Sequence, residues 1–122
     1  MEKEAYKIIK NVVNCLAEKN YDILSSLITI DESWSEEGAD NAAECFAEWL
    51  EGQLEMWEED YEKEIIIDSY DKKQVKSRAF SNGKAFYEYN PTSNGEELDF
   101  WFEIQFSEDD NGNLSAVFNV NV

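Results

Sequence analysis

A chain of 122 residues has the size of one domain, read here as spanning residues 1–122, and can bury a core without disulfides or metals. With 43% hydrophobic and 14% aromatic residues it has the apolar material to fold despite a net charge of -18, so it is not a disordered acidic tail. That charge repels phosphate backbones and anionic lipid surfaces, which argues against nucleic acid and membranes as partners and favours a basic protein.

From Glu2 to Lys19, Ala5, Ile8, Ile9, Val12, Val13 and Leu16 recur at steps of three and four, which predicts an amphipathic helix. Asn20 can stop it and cap a short second helix carrying Tyr21, Leu24, Leu27 and Ile28. After the polar stretch from Asp31 to Ser35, a third helix is expected from about Glu36 into the region of Glu58. At about 100° per residue, Ala42, Ala43, Phe46, Trp49, Leu50, Leu54 and Trp57 fall on one side of it. Asp40, Glu44, Glu48, Glu51, Glu55 and Glu58 fall on the other.

Beyond Tyr61 the period becomes alternating. Glu64 to Asp68 is a short β-branched run, and Val75 to Ser81 and Lys84 to Asn90 flank Asn82-Gly83, a strong hairpin signal. Pro91 and Asn94-Gly95 end that hairpin. Leu98, Phe100, Phe102, Ile104 and Phe106 then alternate with polar residues and Trp101, as a half-buried strand requires, and Leu114, Ala116, Phe118, Val120 and Val122 repeat the pattern. Pairing across the turn from Ser107 to Asn113 is expected to set Phe102 opposite Phe118 and Phe100 opposite Val120. The expected fold is α+β, with three N-terminal helices packed on one face of an antiparallel sheet of four to five strands.

The long first helix, the restart at Lys19-Asn20-Tyr21-Asp22-Ile23-Leu24 and the final strands from Asp99 to Phe106 and Leu114 to Val122 resemble, as topology, the cystatin-like folds and within them the nuclear-transport-factor-like cone. The resemblance implies a strongly curved sheet. It also implies a wide range of activities, from isomerases and small-ligand binders to dimerisation modules. In size and acidity the chain is further similar to some bacterial immunity proteins.

The inventory of reactive groups is narrow. There is no histidine, which removes Ser-His-Asp and Cys-His catalysis, histidine metal sites and the commonest general base near neutral pH. A carboxylate with a tyrosine hydroxyl could still serve an isomerase-like pocket, and Tyr87, Tyr89, Asp99 and Glu103 are the candidates. Asp99 and Glu103 alternate with the apolar residues of their strand, which assigns them more simply to its solvated face. The turn from Ser107 to Asn113 fails as a calcium loop, because with Gly112 at the sixth position Ser107 and Phe118 stand where Asp and a bidentate Glu are required. No metal site, phosphate-binding glycine loop or cofactor is expected. Cys15 and Cys45 belong to no CxxC pair and read as reduced, partly buried thiols. Met1-Glu2-Lys3-Glu4 has no signal-peptide pattern and no apolar run approaches the roughly 20 residues of a membrane span, so a cytoplasmic location is expected.

The acidic stripe remains. From Asn20 to Glu62 there are 14 acidic residues and no Lys or Arg. Like charges one helical turn apart cost about 0.2 to 0.5 kcal/mol per pair. A solvated, solubility-promoting face is the plainer account. The sharper one is a docking surface for a basic protein, formed by Asp40, Glu44, Glu48, Glu51, Glu55 and Glu58 with Trp34, Trp49 or Trp57 as aromatic anchors, in a non-enzymatic domain of immunity or inhibitor type. The alternatives are a small-ligand-binding or isomerase-like cone, and a homodimer through an outer sheet face around Tyr87, Tyr89 and Trp101.

Overall fold

A computed structural model describes residues 2–30 and 42–121. Helix α1 spans Glu2–Glu18 and buries Ala5, Ile9, Val12, Val13 and Leu16, the stripe its periodicity demands. It stops where Lys19 turns left-handed at φ 58°: Lys19 N–H then donates to Leu16 C=O at 3.2 Å and Asn20 N–H to Cys15 C=O at 2.9 Å. This is a Schellman closure with lysine in the place glycine usually takes. Asn20 makes no side-chain cap. A 3-10 turn over Tyr21–Ile23 runs into α2, Leu24–Leu27, which is a single turn. Among the described residues there are therefore two helices of any length, α1 and α3 (Ala42–Tyr61), where three were expected. The second is too short to form a layer.

Helix α3 spans Ala42–Tyr61, running past the expected end at Glu58 until Glu62 adopts φ 54°. Its expected start at Glu36 lies outside the described residues, as do Trp34 and Asp40. Phe46, Leu50, Leu54 and Trp57 are buried and Trp49 is half-buried, so the apolar face reads as its spacing predicts.

The remaining elements are strands: β1 (Thr29–Ile30), β2 (Val75–Ser81), β3 (Lys84–Tyr89), β4 (Thr92–Ser93), β5 (Glu96–Glu97), β6 (Trp101–Glu108) and β7 (Leu114–Asn121). The main sheet has the order β1-β7-β6-β3-β2, with β2, β3, β6 and β7 antiparallel and the two-residue β1 parallel to β7 at one edge. Asn82-Gly83 makes the tight turn of the β2–β3 hairpin, both residues at positive φ (51° and 75°), the geometry that matches strand twist. Asn94-Gly95, expected only to end that hairpin, makes a second such turn joining β4 and β5.

Pairing of β6 with β7 sets Phe102 opposite Val120 and Ile104 opposite Phe118, two residues away from the expected register. A slip of two keeps every side chain on its face. The segment from Glu64 to Asp68, expected as a strand, forms no regular element: Ile66 N–H donates to Ser93 Oγ at 3.1 Å and Asp68 N–H to Thr92 C=O at 2.8 Å, while Ile65 and Ile67 are buried.

One sheet face carries Ala85, Tyr87, Tyr89, Phe102, Ile104, Phe106, Ala116, Phe118 and Val120, all buried beneath α1 and α3. Aromatic rings join the layers. Phe46 meets Phe118 edge-on at 4.9 Å, Trp57 stacks on Phe100 at 5.6 Å, and Tyr6 of α1 meets Tyr87 at 5.5 Å. Such pairs contribute about 0.5 to 1.5 kcal/mol each beyond burial. Tyr87 and Tyr89 thus belong to the core, not to the outer sheet face the dimer reading required. The irregular chain after β3 is held by Asn90, whose buried Nδ2 donates to Leu98 C=O at 2.8 Å and Phe100 C=O at 2.9 Å. Asp68 holds the β4–β5 turn by accepting from Thr92 Oγ1, Asn94 N–H and Gly95 N–H at 2.8, 3.0 and 2.8 Å.

Candidate protein-binding face

The outer side of α3 separates into two sets of carboxylates. Glu44, Glu48 and Glu55 are exposed, with no ion-pair or hydrogen-bond partner among the described residues. Glu51 and Glu58 are half-buried and engaged. Because the turn after α1 carries Tyr21 against α3, its hydroxyl donates to Glu51 Oε1 at 2.6 Å, a short charge-assisted bond. Burial, then the Glu51 carboxylate, pushes the Tyr21 hydroxyl well above its ordinary pKa. Lys19 Nζ approaches the other Glu51 oxygen at 3.7 Å, so the stripe meets a cation supplied from the end of α1. Glu58 Oε1 accepts from Ile65 N–H at 3.3 Å and so fixes the chain leaving the helix.

The expected anchors are placed differently. Trp57 is buried against Phe100, and Trp49 lies half-buried between Phe46 and Phe100. Trp57 is therefore withdrawn from the surface, while Trp49, seven residues before Met56 and so on the same side of the helix, stands at the edge of the acidic face. Two residues not singled out in the sequence also lie there. Met56 is 54% exposed beside Glu55, and Gly52 occupies the middle of the exposed side with nothing within 4 Å of where its Cβ would stand. Nothing within the described chain requires a glycine, and a mid-helix glycine costs about 0.5 to 1 kcal/mol relative to alanine. Its lone position inside a helical pattern was the available signal.

The alternative pocket residues do not converge. Tyr87 and Tyr89 are each 1% exposed on the helix-covered sheet face, whereas Glu103 is on the opposite face and Asp99 is exposed. Tyr89 Oη accepts from Asp71 N–H at 3.1 Å. Tyr87 Oη is buried without a hydrogen-bond partner among the described residues. Glu103 stands directly across the ladder from Glu88, and burial first, then that neighbour, raises its carboxyl above the ordinary range. Asp99 borders a cleft of about 120 Å³ shared with Trp57, Tyr61, Lys63, Ile65 and Leu98. Drug-sized ligands occupy sites of about 300 to 1,000 Å³, so this cleft is too small for one.

Cys15 is buried, Cys45 is half-buried, and both are free thiols. In the β6–β7 turn Asp109 accepts from the N–H groups of Asn111 and Asn113 at 2.9 and 2.8 Å, so that carboxylate serves the turn itself. No described helix is long and apolar enough to cross a membrane, and no described group of three or more Cys, Asp or Glu could hold a metal ion. Comparison with known proteins finds no matching family, no matching curated protein and no matching solved structure.

Proposed function

We propose that this chain is a non-enzymatic interaction domain of immunity or inhibitor type, which binds a basic partner protein through the exposed side of α3. The observation that carries the reading is the set of carboxylates Glu44, Glu48 and Glu55, without a partner among the described residues, on a side whose centre, Gly52, is bare of side chain. Their mutual repulsion and the glycine both lower helix stability, while a cationic surface would relieve the first and use the second for close approach. Met56 offers an apolar contact within the same patch. The order of a long helix, a short turn, a second long helix and then antiparallel strands supports kinship with the cystatin-like and nuclear-transport-factor-like folds as part of this reading.

The test is calorimetric titration of the chain with the purified product of the gene adjacent to its own, at rising salt. Affinity is expected to fall steeply with ionic strength and with the triple change Glu44, Glu48 and Glu55→Lys. Tight binding indifferent to both overturns the charged-face mechanism, and no binding overturns the immunity reading.

A further inference from the structure

The sheet ends at β2, and this edge differs in charge from the rest of the chain. Between Asp71 and Lys84 lie Lys72, Lys73, Lys76, Arg78 and Lys84, five of the ten cations, against the single acid Asp71. Every residue from Lys76 to Ser81 is exposed, so no described element covers the strand. A shift in register between Val75 and Ser77 marks the end nearer a second 3-10 turn, Lys72–Gln74.

The register identifies the free main-chain groups. The two-residue Asn82-Gly83 turn closes on Ser81 opposite Lys84, a hydrogen-bonded pair in this hairpin type. Alternation along the ladder then bonds Ala79 to Phe86 and Ser77 to Glu88, and directs the N–H and C=O of Arg78 and Phe80 away from β3. Phe80 is 64% exposed and borders an open depression of about 350 Å³ with Ser81, Asn82, Gly83 and Lys84. Arg78 is held by Glu2 at 2.8 Å and Lys76 by Glu97 at 2.6 Å, both exposed pairs of the kind that contribute little. Lys73 and Lys84 have no carboxylate partner among the described residues.

We infer that the free edge of β2 binds an extended acidic segment of a partner protein, which adds to the sheet as a further strand. Main-chain bonds to Arg78 and Phe80 supply the pairing, an apolar side chain covers Phe80, and carboxylates on the added strand meet Lys73, Lys76, Arg78 and Lys84. A second copy of β2 is the wrong occupant. Self-pairing would gather Lys76 and Arg78 from both copies along one seam, and like charges opposed across a ladder destabilise it. The cations that guard the edge against its own kind thus select an acidic strand. This surface is separate from the acidic side of α3, and either proposal stands if the other fails.

The experiment is amide hydrogen exchange by NMR on the isotope-labelled full chain, titrated with a blocked peptide Glu-Thr-Glu-Thr-Val-Thr-Glu, whose one face sets a valine between glutamates as Phe80 and Arg78, two apart on one face of β2, require. The same peptide with lysine for glutamate is the control. The glutamate peptide is expected to slow exchange at Arg78 and Phe80 and not at Ser77 or Ala79, whose N–H groups are already paired. The double change Lys73→Glu and Lys84→Glu is expected to weaken it about tenfold. Phe80→Pro removes an outward N–H that the β3 ladder does not use and is expected to abolish the protection, while Phe80→Ala, which removes only the ring, retains it. Absence of slowing at Arg78 and Phe80, equal protection by the lysine peptide, or protection of these amides by self-association without peptide overturns the inference.

Discussion

Glu48→Lys is expected to make the protein more stable. Glu48 follows Glu44 by one turn and precedes Glu51 by three residues, is exposed, and has no partner among the described residues. Lysine at 48 turns both repulsive pairs into attractive ones, with Glu44 on the favourable N-terminal side. At about 0.2 to 0.5 kcal/mol for each repulsion lost and each attraction gained, the change amounts to about 1 kcal/mol. That corresponds to a rise in Tm of about 4 °C for a domain of this size. Four tryptophans make fluorescence-detected urea and thermal unfolding suitable assays. The gain should shrink greatly in about 1 M salt, where the Debye length is about 3 Å. Tyr21→Phe is the contrast: it removes the 2.6 Å bond to Glu51 and should cost about 1.5 kcal/mol. A Glu48→Lys protein that is no more stable than the parent, or whose gain is indifferent to salt, would refute the reasoning that the stripe stores repulsion.

Three further outcomes are expected. Asn90→Ala leaves the carbonyls of Leu98 and Phe100 unpaired in the core, at a cost of about 2 to 4 kcal/mol in urea unfolding; Asn90→Asp should be worse at neutral pH, because a carboxylate donates to neither, and should recover as pH falls. Partial burial opposes ionisation of Asp68, but bonds from Gly95 N–H, Thr92 Oγ1 and Asn94 N–H outweigh it and hold the carboxyl below its ordinary value. Its contribution is therefore full above the unfolded-state pKa near 3.8 and lost as pH falls through the folded value, so Asp68→Asn should flatten the acid limb of a stability-against-pH curve. Glu103 has the opposite sign. Raised in the folded state by burial and by Glu88, it destabilises increasingly as pH rises through that value, so Glu103→Gln should add about 0.5 kcal/mol at neutral pH and nothing at acid pH.

What the sequence made legible was local. The β2–β3 hairpin follows from Asn82-Gly83, and the buried face of α3 from the spacing of Phe46, Leu50, Leu54 and Trp57. The β6–β7 register missed by two because alternation reports which face a residue occupies, not its partner along the strand. The segment around Ile66 looked like a strand because β-branched residues suit extended backbone. Its partners are side chains and a single carbonyl, Glu58 at the end of α3 and Ser93 and Thr92 more than twenty residues on, and they do not form a ladder. The same non-locality divided the acidic stripe: periodicity put Glu51 and Glu58 beside Glu48 and Glu55, but Tyr21 and Ile65 draw them into the fold. Tyr87 and Tyr89 were candidates for a pocket by chemistry alone, and the helices cover them.

The three Asn-Gly turns also set how this protein ages chemically. Deamidation begins when the glycine nitrogen attacks the asparagine side-chain carbonyl, expelling ammonia and closing a succinimide that water opens to a carboxylate, so asparagine here is a heat-labile residue. In Asn94-Gly95 that nitrogen is held by Asp68 Oδ2 at 2.8 Å, and in Asn111-Gly112 by Asp109 C=O at 3.0 Å. Gly83 N–H has no such acceptor among the described residues. Asn82 is therefore expected to be the first of the three to convert on warm alkaline storage, which peptide mapping by mass spectrometry would register. Each molecule so altered gains a negative charge at the tip of its most basic strand.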